Sequence, residues 1–309
     1  MLQLVHPAAA PATDDLLSDD TQRRLARWNR TRLAPGFPAD DWRAQLDRDA
    51  RMQRLEGEFL ETLRAEVAGA ASAAPTDVDG FVAWFEALEP HGPGQHDALF
   101  PWLAEEATLD EFRWFFEQEA AGEAGFDDLV AMTQVKLPVA PKLELARNYW
   151  DEMGRGNPNG MHGPMLDALV ETLQVDPAID RTVAESLTLA NAMTAMAANR
   201  RYAWHSVGAL GVIELTAPAR AALVEQGLRR LGFSGKERKY FALHSVLDIK
   251  HAADWIREAL RPAMAEDPSR GRAMAEGALI RLKCGERCFA RYRANLWNAP
   301  KEEKRAFAF

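Results

Sequence analysis

The sequence predicts an all-α protein. Apolar residues recur at helical spacing through long uninterrupted stretches, and no series of alternating apolar and polar residues marks strands. Gly, Pro and Asn gather in short links between those stretches, where the chain would turn. With 309 residues, 47% hydrophobic and 27% charged, the chain is long enough for a large core. A net charge of −9 and the lack of a long basic run argue against nucleic acid as a partner. No run approaches the length of apolar sequence that spans a bilayer, so no membrane association is expected. The N-terminus has neither a basic start nor an apolar stretch suited to secretion, which makes a cytoplasmic location the default expectation.

In chain order, residues 1–20 are rich in Ala, Pro and Asp and read as a mobile leader. Thr21–Arg32 predicts a first helix and Asp41–Ala68 a long second one, with Trp42, Leu46, Leu55, Phe59 and Leu63 in part periodic. Gly80–Leu88 predicts a short helix closed by the Gly/Pro loop EPHGPGQH, whose His91 and His96 read as surface residues. Thr108 and Glu111 form a capping-box pair that opens a helix running to Phe126. On that wheel Phe112, Phe115, Phe116 and Glu119 share a face, Glu117 points away, and Glu123 falls on the inward side. A carboxylate among phenylalanines is costly unless paired, protonated or coordinated. Glu119 is therefore a ligand candidate with Glu123 its runner-up; the alternative is an amphipathic helix whose glutamates reach solvent.

Lys142–Met153 predicts the next helix, with Glu152 near its end, followed by a Gly/Asn/Pro link. His162 stands at the start of a helix whose Met165, Leu166, Leu169 and Leu173 share its side. A long helix is expected over Arg181–Glu214, then a turn at LTAP and a short helix. His205 lies about 180° from Glu214 on that wheel, which separates the two. Ser269–Trp297 predicts the last helix, before a solvated charged tail, KEEKR. Cys284 and Cys288, at i and i+4 on this helix, read as two reduced thiols because a helix suits a disulfide poorly. One helical domain over residues 51–309, preceded by an N-terminal extension of residues 1–50, accounts for the whole.

The chemistry concentrates in Tyr240–Arg257, YFALHSVLDIKHAADWIR. At about 100° per residue, His244, Asp248 and His251 fall within a sector of about 60°. Imidazole nitrogen and carboxylate oxygen together suit iron, manganese or zinc. The chain lacks a dinucleotide fingerprint, a P-loop, a nucleophile elbow, H-E-x-x-H and E-x-x-H. What remains is Glu119, Glu152, His162, Glu214, His244, Asp248 and His251, more donors than one metal ion needs.

Here the sequence resembles the haem-oxygenase-like di-iron oxidases, the iron-containing redox enzymes, over roughly residues 105–295. The carriers are the QE of FFEQEAAGEAGF, the E-x9-H of WDEMGRGNPNGMHGPML, the Glu of GVIELTAP and the H-x3-D-x2-H of LHSVLDIKH. The resemblance implies an all-α haem-oxygenase-like helical bundle in which a metal pair replaces haem. It implies Glu119, His162, Glu214, His244, Asp248 and His251 as ligands, with Glu152 matching an extra carboxylate of the N-oxygenating members. The implied cofactor is two Fe(II) ions, with Mn an option. The implied activity is O2-dependent oxidation of a small organic substrate, by amine N-oxygenation or oxidative C–C cleavage. O2, the substrate, an external reductant and, as one option, a second copy of the chain are the expected partners. Two other readings share the scaffold: a non-catalytic metal-binding or interaction protein, and a thiaminase-like hydrolase using a cysteine. Arg200, Arg201 and Lys250 are candidates for an anionic group, against a plain surface role.

Overall fold

The computed structural model describes residues 13–122 and 125–298. The start of the expected leader, Glu123 and the expected charged tail lie outside the described residues. Among the described residues there is helix and connecting chain but no strand. The principal helices are α1 (Asp19–Leu33), α2 (Trp42–Ala71), α3 (Val78–Glu86), α4 (Leu99–Glu105), α5 (Leu109–Gly122) and α6 (Phe126–Thr133). They continue with α7 (Val139–Glu152), α8 (His162–Thr172), α9 (Ala184–Ala198), α10 (Ala203–Arg230), α11 (Lys239–Asp254) and α12 (Arg270–Asn298). The fold is an all-α helical bundle, as expected.

Local chemistry sets several boundaries. Ser18 caps α1 by accepting from the Thr21 amide. The capping box at α5 forms as read: the Thr108 amide donates to Glu111 Oε2 at 2.8 Å, and the Glu111 amide to Thr108 Oγ1 at 3.4 Å. Two helices went unrecognised in the sequence, α4 and α6, each of only about two turns, shorter than the stretch over which apolar periodicity is read. Residues 1–50, set apart as an extension, include α1, whose Leu25 is fully buried in the main core. Its Asn29 donates to Asn191 on α9 at 2.9 Å.

The expected helix over Arg181–Glu214 is instead two helices. Asn199 leaves helical geometry, with φ −101° and ψ 113°, and its side chain accepts from the Arg201 amide at 3.2 Å. The chain then re-enters as α10. The turn expected at LTAP is absent, because α10 runs through Pro218 to Arg230. Pro218 has no N–H to offer the Glu214 carbonyl four residues back, so the ladder is interrupted beside a candidate ligand. Thr216 Oγ1 donates to the Val212 carbonyl at 2.7 Å one turn earlier. The stretch Arg200–Arg230 is long and apolar enough to cross a membrane by composition, but more than half of its most apolar window is buried within the bundle. Its hydrophobicity is that of a core helix.

α10 and α12 form the centre of the bundle. A Cβ at Gly208 would overlap the Met274 carbonyl oxygen, and one at Gly277 would overlap the His205 carbonyl oxygen. The two glycines let the backbones touch reciprocally. One core cluster gathers Phe59, Phe81, Phe85, Leu210, Trp255 and Met264. A second gathers Phe112, Phe116, Leu169, Leu228, Phe289 and Tyr292. Candidate ligands on α5, α7, α10 and α11 line a cavity whose walls draw on both clusters.

Candidate metal centre

α11 carries its polar side inward. Asp248 and His251 are buried, while Val246 and Ile249, on the same helix, face solvent. The apolar residues of this helix therefore do not mark its buried side, and the His/Asp spacing does. Directly after His251 the helix widens into a π segment, Trp255–Leu260. The Trp255 indole N–H donates to the Val207 carbonyl at 3.1 Å, and its ring lies where a Cβ at Gly211 would approach to 2.6 Å. This packing fixes α11 against α10, and so His251 against Glu214.

Six of the seven predicted residues assemble as two trios: Glu152, His162 and His244 in one, and Glu214, Asp248 and His251 in the other. Within each, one ligand atom per residue lies within 4.8 Å of the others. A first-row ion holds N and O donors at about 2.0–2.2 Å, so donors on one ion stand at most about 4.4 Å apart. The trios approach that spacing before any ion draws them in.

His162 Nδ1 is 2.7 Å from Glu152 Oε2, and the rings of His162 and His244 stand edge to face with centroids 4.7 Å apart. His251 Nδ1 is 3.5 Å from Glu214 Oε2 and 3.8 Å from Asp248 Oδ1. His244 joins the trios: its Nδ1 faces Asp248 Oδ1 at 3.0 Å, leaving Nε2 for the first trio. His162 Nδ1, His244 Nε2 and His251 Nδ1 are all buried and make no hydrogen bond. An unpartnered buried nitrogen costs about 1–3 kcal/mol. His162 Nδ1 and His251 Nδ1 stand against carboxylates without an aligned hydrogen bond and His244 Nε2 has no partner, a donor set that a metal ion would complete.

Two residues that the sequence reading missed support the second trio. Asp151 Oδ2 lies 3.2 Å from His251 Nε2, and Asn148 Nδ2 donates to Glu214 Oε1 at 2.6 Å. Asn148 lies one turn before Glu152 on the same face of α7, and that spacing was the available signal; Asp151 is its immediate neighbour and carried none. Arg155, 2.6 Å away, in turn holds Asp151. Burial acts to raise the Asp151 carboxyl, but Arg155 and His251 together hold it below the ordinary value. Such a carboxylate behind an imidazole orients the ring and raises its basicity.

The electrostatics differ between the trios. Burial pushes the His244 imidazole down to about 4, so it is neutral. Burial also pulls on His251, but Glu214, Asp151 and Asp248 overcome it and hold the ring up at about 9. Burial raises Asp248 to about 7 and lifts Glu214 in the same direction.

Glu119 joins neither trio. It lines the same cavity, and its Oε1 accepts from the Tyr292 hydroxyl at 2.8 Å, with burial raising its carboxyl. Tyr292 also meets Ser186 Oγ at 2.7 Å. Glu117 points away, as expected, to Arg181. His205 is far from the trios in bonding terms: its Nε2 faces Glu276 at 3.1 Å. His91 and His96 are exposed.

The cavity beside the trios has a volume of about 210 Å³. That is the liquid volume of about seven waters, room for a small organic molecule. Glu119, Glu152, Glu214, His244 and Asp248 face it, and Tyr240 covers His244 with ring centroids 4.4 Å apart.

A helical bundle that gathers two His/carboxylate trios beside one cavity has the donor set of a metal-binding protein. The sequence profile of the family described as iron-containing redox enzyme matches residues 113–286, more than half of the chain, and the protein belongs to that family. Membership assigns it iron and a redox function. No curated protein matches the sequence closely enough to add a nearer relative.

Proposed function

We propose that the protein is a non-haem di-iron oxidase that uses O2 to oxidise a small organic substrate held in the cavity. The observation that carries the reading is the pair of adjacent trios, whose three buried imidazole nitrogens make no aligned hydrogen bond. Glu152, His162 and His244 would hold one ion, and Glu214, Asp248 and His251 the other. Glu119 stands on the cavity wall as a further carboxylate for the pair. Ferrous iron supplies the electrons and open coordination positions that O2 reduction requires.

The chain's own groups do the rest. Asp151 and Asn148 fix the orientations of His251 and Glu214, while Asp248 ties His244 to the second trio. Phenylalanine and aliphatic side chains make up much of the cavity wall beside the reacting centre. The proposed partners are the substrate, O2 and an external reductant that returns the iron to the ferrous state, in a cytoplasmic setting.

The cysteine-based hydrolase reading loses support. Both thiols are buried, and burial pushes Cys284 up to about 11 and raises Cys288 well above its ordinary value, so neither is a ready nucleophile. The passive-binder reading is separated by experiment. Anaerobically Fe(II)-loaded protein, desalted and mixed with O2 in an oxygen electrode, should consume O2 faster than the same concentration of free Fe(II). Variants His244→Ala and His251→Ala should lose that excess. Consumption equal to free Fe(II) would leave a metal-binding protein without oxidase function.

A further inference from the structure

The cavity wall away from the trios is positively charged. Arg220 and Arg281 both line it, together with Phe100, Phe115, Ile213 and Phe289. Arg281 makes no hydrogen bond or ion pair with any described residue. Arg220 spends two donors on neutral groups, Thr216 Oγ1 at 3.1 Å and Gln95 Oε1 at 3.4 Å. Its guanidinium is flanked by the Phe100 and Phe289 rings, with centroids at 5.8 and 5.6 Å. Burial, and then repulsion from Arg281, push Arg220 down to about 9, a cost that Glu119 and Glu89 offset only in part. Glu119 is the carboxylate on this wall, and it is bonded to Tyr292 with no ion pair to either arginine among the described residues. Two cations thus line the cavity with no ion pair to either among the described residues, although Glu119 and the carboxylates of the trios face the same space. By contrast, Arg200 donates to the Met132 and Thr133 carbonyls, and Lys250 is paired with Asp254. Neither they nor Arg201 line the cavity.

We propose that Arg220 and Arg281 form an anion subsite that holds the carboxylate of an otherwise apolar substrate, leaving its body in the cavity beside the trios. This rests on the cavity being the oxidase's substrate site. A guanidinium presents five N–H donors in a fixed fork that matches a carboxylate, and such charge-assisted bonds are about twice as strong as neutral ones. Arg281 has all of its donors free for the task. The aromatic flanks of Arg220 hold its plane in place without using its remaining donors. The pair therefore selects for charge, and the small apolar volume selects for size.

The test uses full-length metal-free protein, where a carboxylate cannot bind iron instead. Isothermal titration compares hexanoate with hexanamide, which has the same shape without the charge. Wild-type protein should bind hexanoate at least about tenfold more tightly than hexanamide. Arg281→Gln, which loses no protein hydrogen bond, should erase that preference and leave hexanamide affinity unchanged. Arg220→Gln should act in the same direction, with circular dichroism confirming the fold of each. Equal binding of the two probes by wild type, or an unchanged preference in both variants, overturns the subsite. Anaerobic iron titration of the same proteins separates the two readings. Wild-type iron content in Arg281→Gln supports a substrate role, and loss of iron would instead make the arginines supports of the metal site. If wild type takes up no iron yet hexanoate still depends on Arg281, the anion subsite stands and the oxidase reading falls.

Discussion

Metal binding at the second trio should release protons. In the metal-free protein His251 is held at about 9, against an ordinary 6.5, and Asp248 at about 7, against 3.8. At pH 7 the two groups together carry roughly 1.5 protons, which an ion at His251 Nδ1 and the Asp248 carboxylate must displace. The protonated fraction falls as pH rises, so affinity should rise with pH. With these values it tightens about fiftyfold from pH 6 to 7 and about tenfold to twentyfold from pH 7 to 8. Glu214, also raised by burial, acts in the same direction. His244, held at about 4, gives up no proton in this range. The same groups govern the metal-free fold. Both are raised on folding, so their stabilisation is complete below the ordinary values and is lost as pH climbs through about 7 for Asp248 and about 9 for His251. Competition titration with Mn(II) at pH 6, 7 and 8 measures the slope, and calorimetry in two buffers of different ionisation heat counts the protons. Affinity that is flat from pH 6 to 8, or uptake without proton release, would refute the reasoning.

Four substitutions probe other links. Asp151→Asn removes the charge behind His251 and should weaken the second ion by about tenfold to a hundredfold in an iron titration, leaving the first unaffected. Glu152→Ala leaves only His162 and His244 in the first trio and should lower bound iron by about one ion per chain, as read by elemental analysis. Gly208→Ala must force α10 from α12 and should cost at least about 2 kcal/mol in urea unfolding. Gly57→Ala, in α2 with open space around it, should instead add about 0.5–1 kcal/mol.

Much of the site was legible because its ligands are rare residue types at helical spacing. His244, Asp248 and His251 declare a shared face by position alone, even though the apolar Val246 and Ile249 beside them point to solvent. The break at Asn199 and the passage of α10 through Pro218 were not legible, since both depend on bonds made after folding. Asp151 and Asn148 were hidden by commonness: a carboxylate and an amide on a helix usually face water, and only the approach of α11 and α10 gives them His251 and Glu214. Arg220 and Arg281 escaped for the same reason. Glu119 was legible as an inward carboxylate on a phenylalanine face, but its bond to Tyr292, 173 residues away in sequence, was not.

The central claim is that the two trios hold two iron ions. Loading the protein anaerobically with excess Fe(II), removing unbound metal and measuring iron by elemental analysis, with Mössbauer spectroscopy of an enriched sample, tests it most directly. The account predicts about two high-spin ferrous ions per folded chain, with the second lost in Asp248→Ala. One ion or fewer in folded wild-type protein, or wild-type iron content in Asp248→Ala, would contradict it.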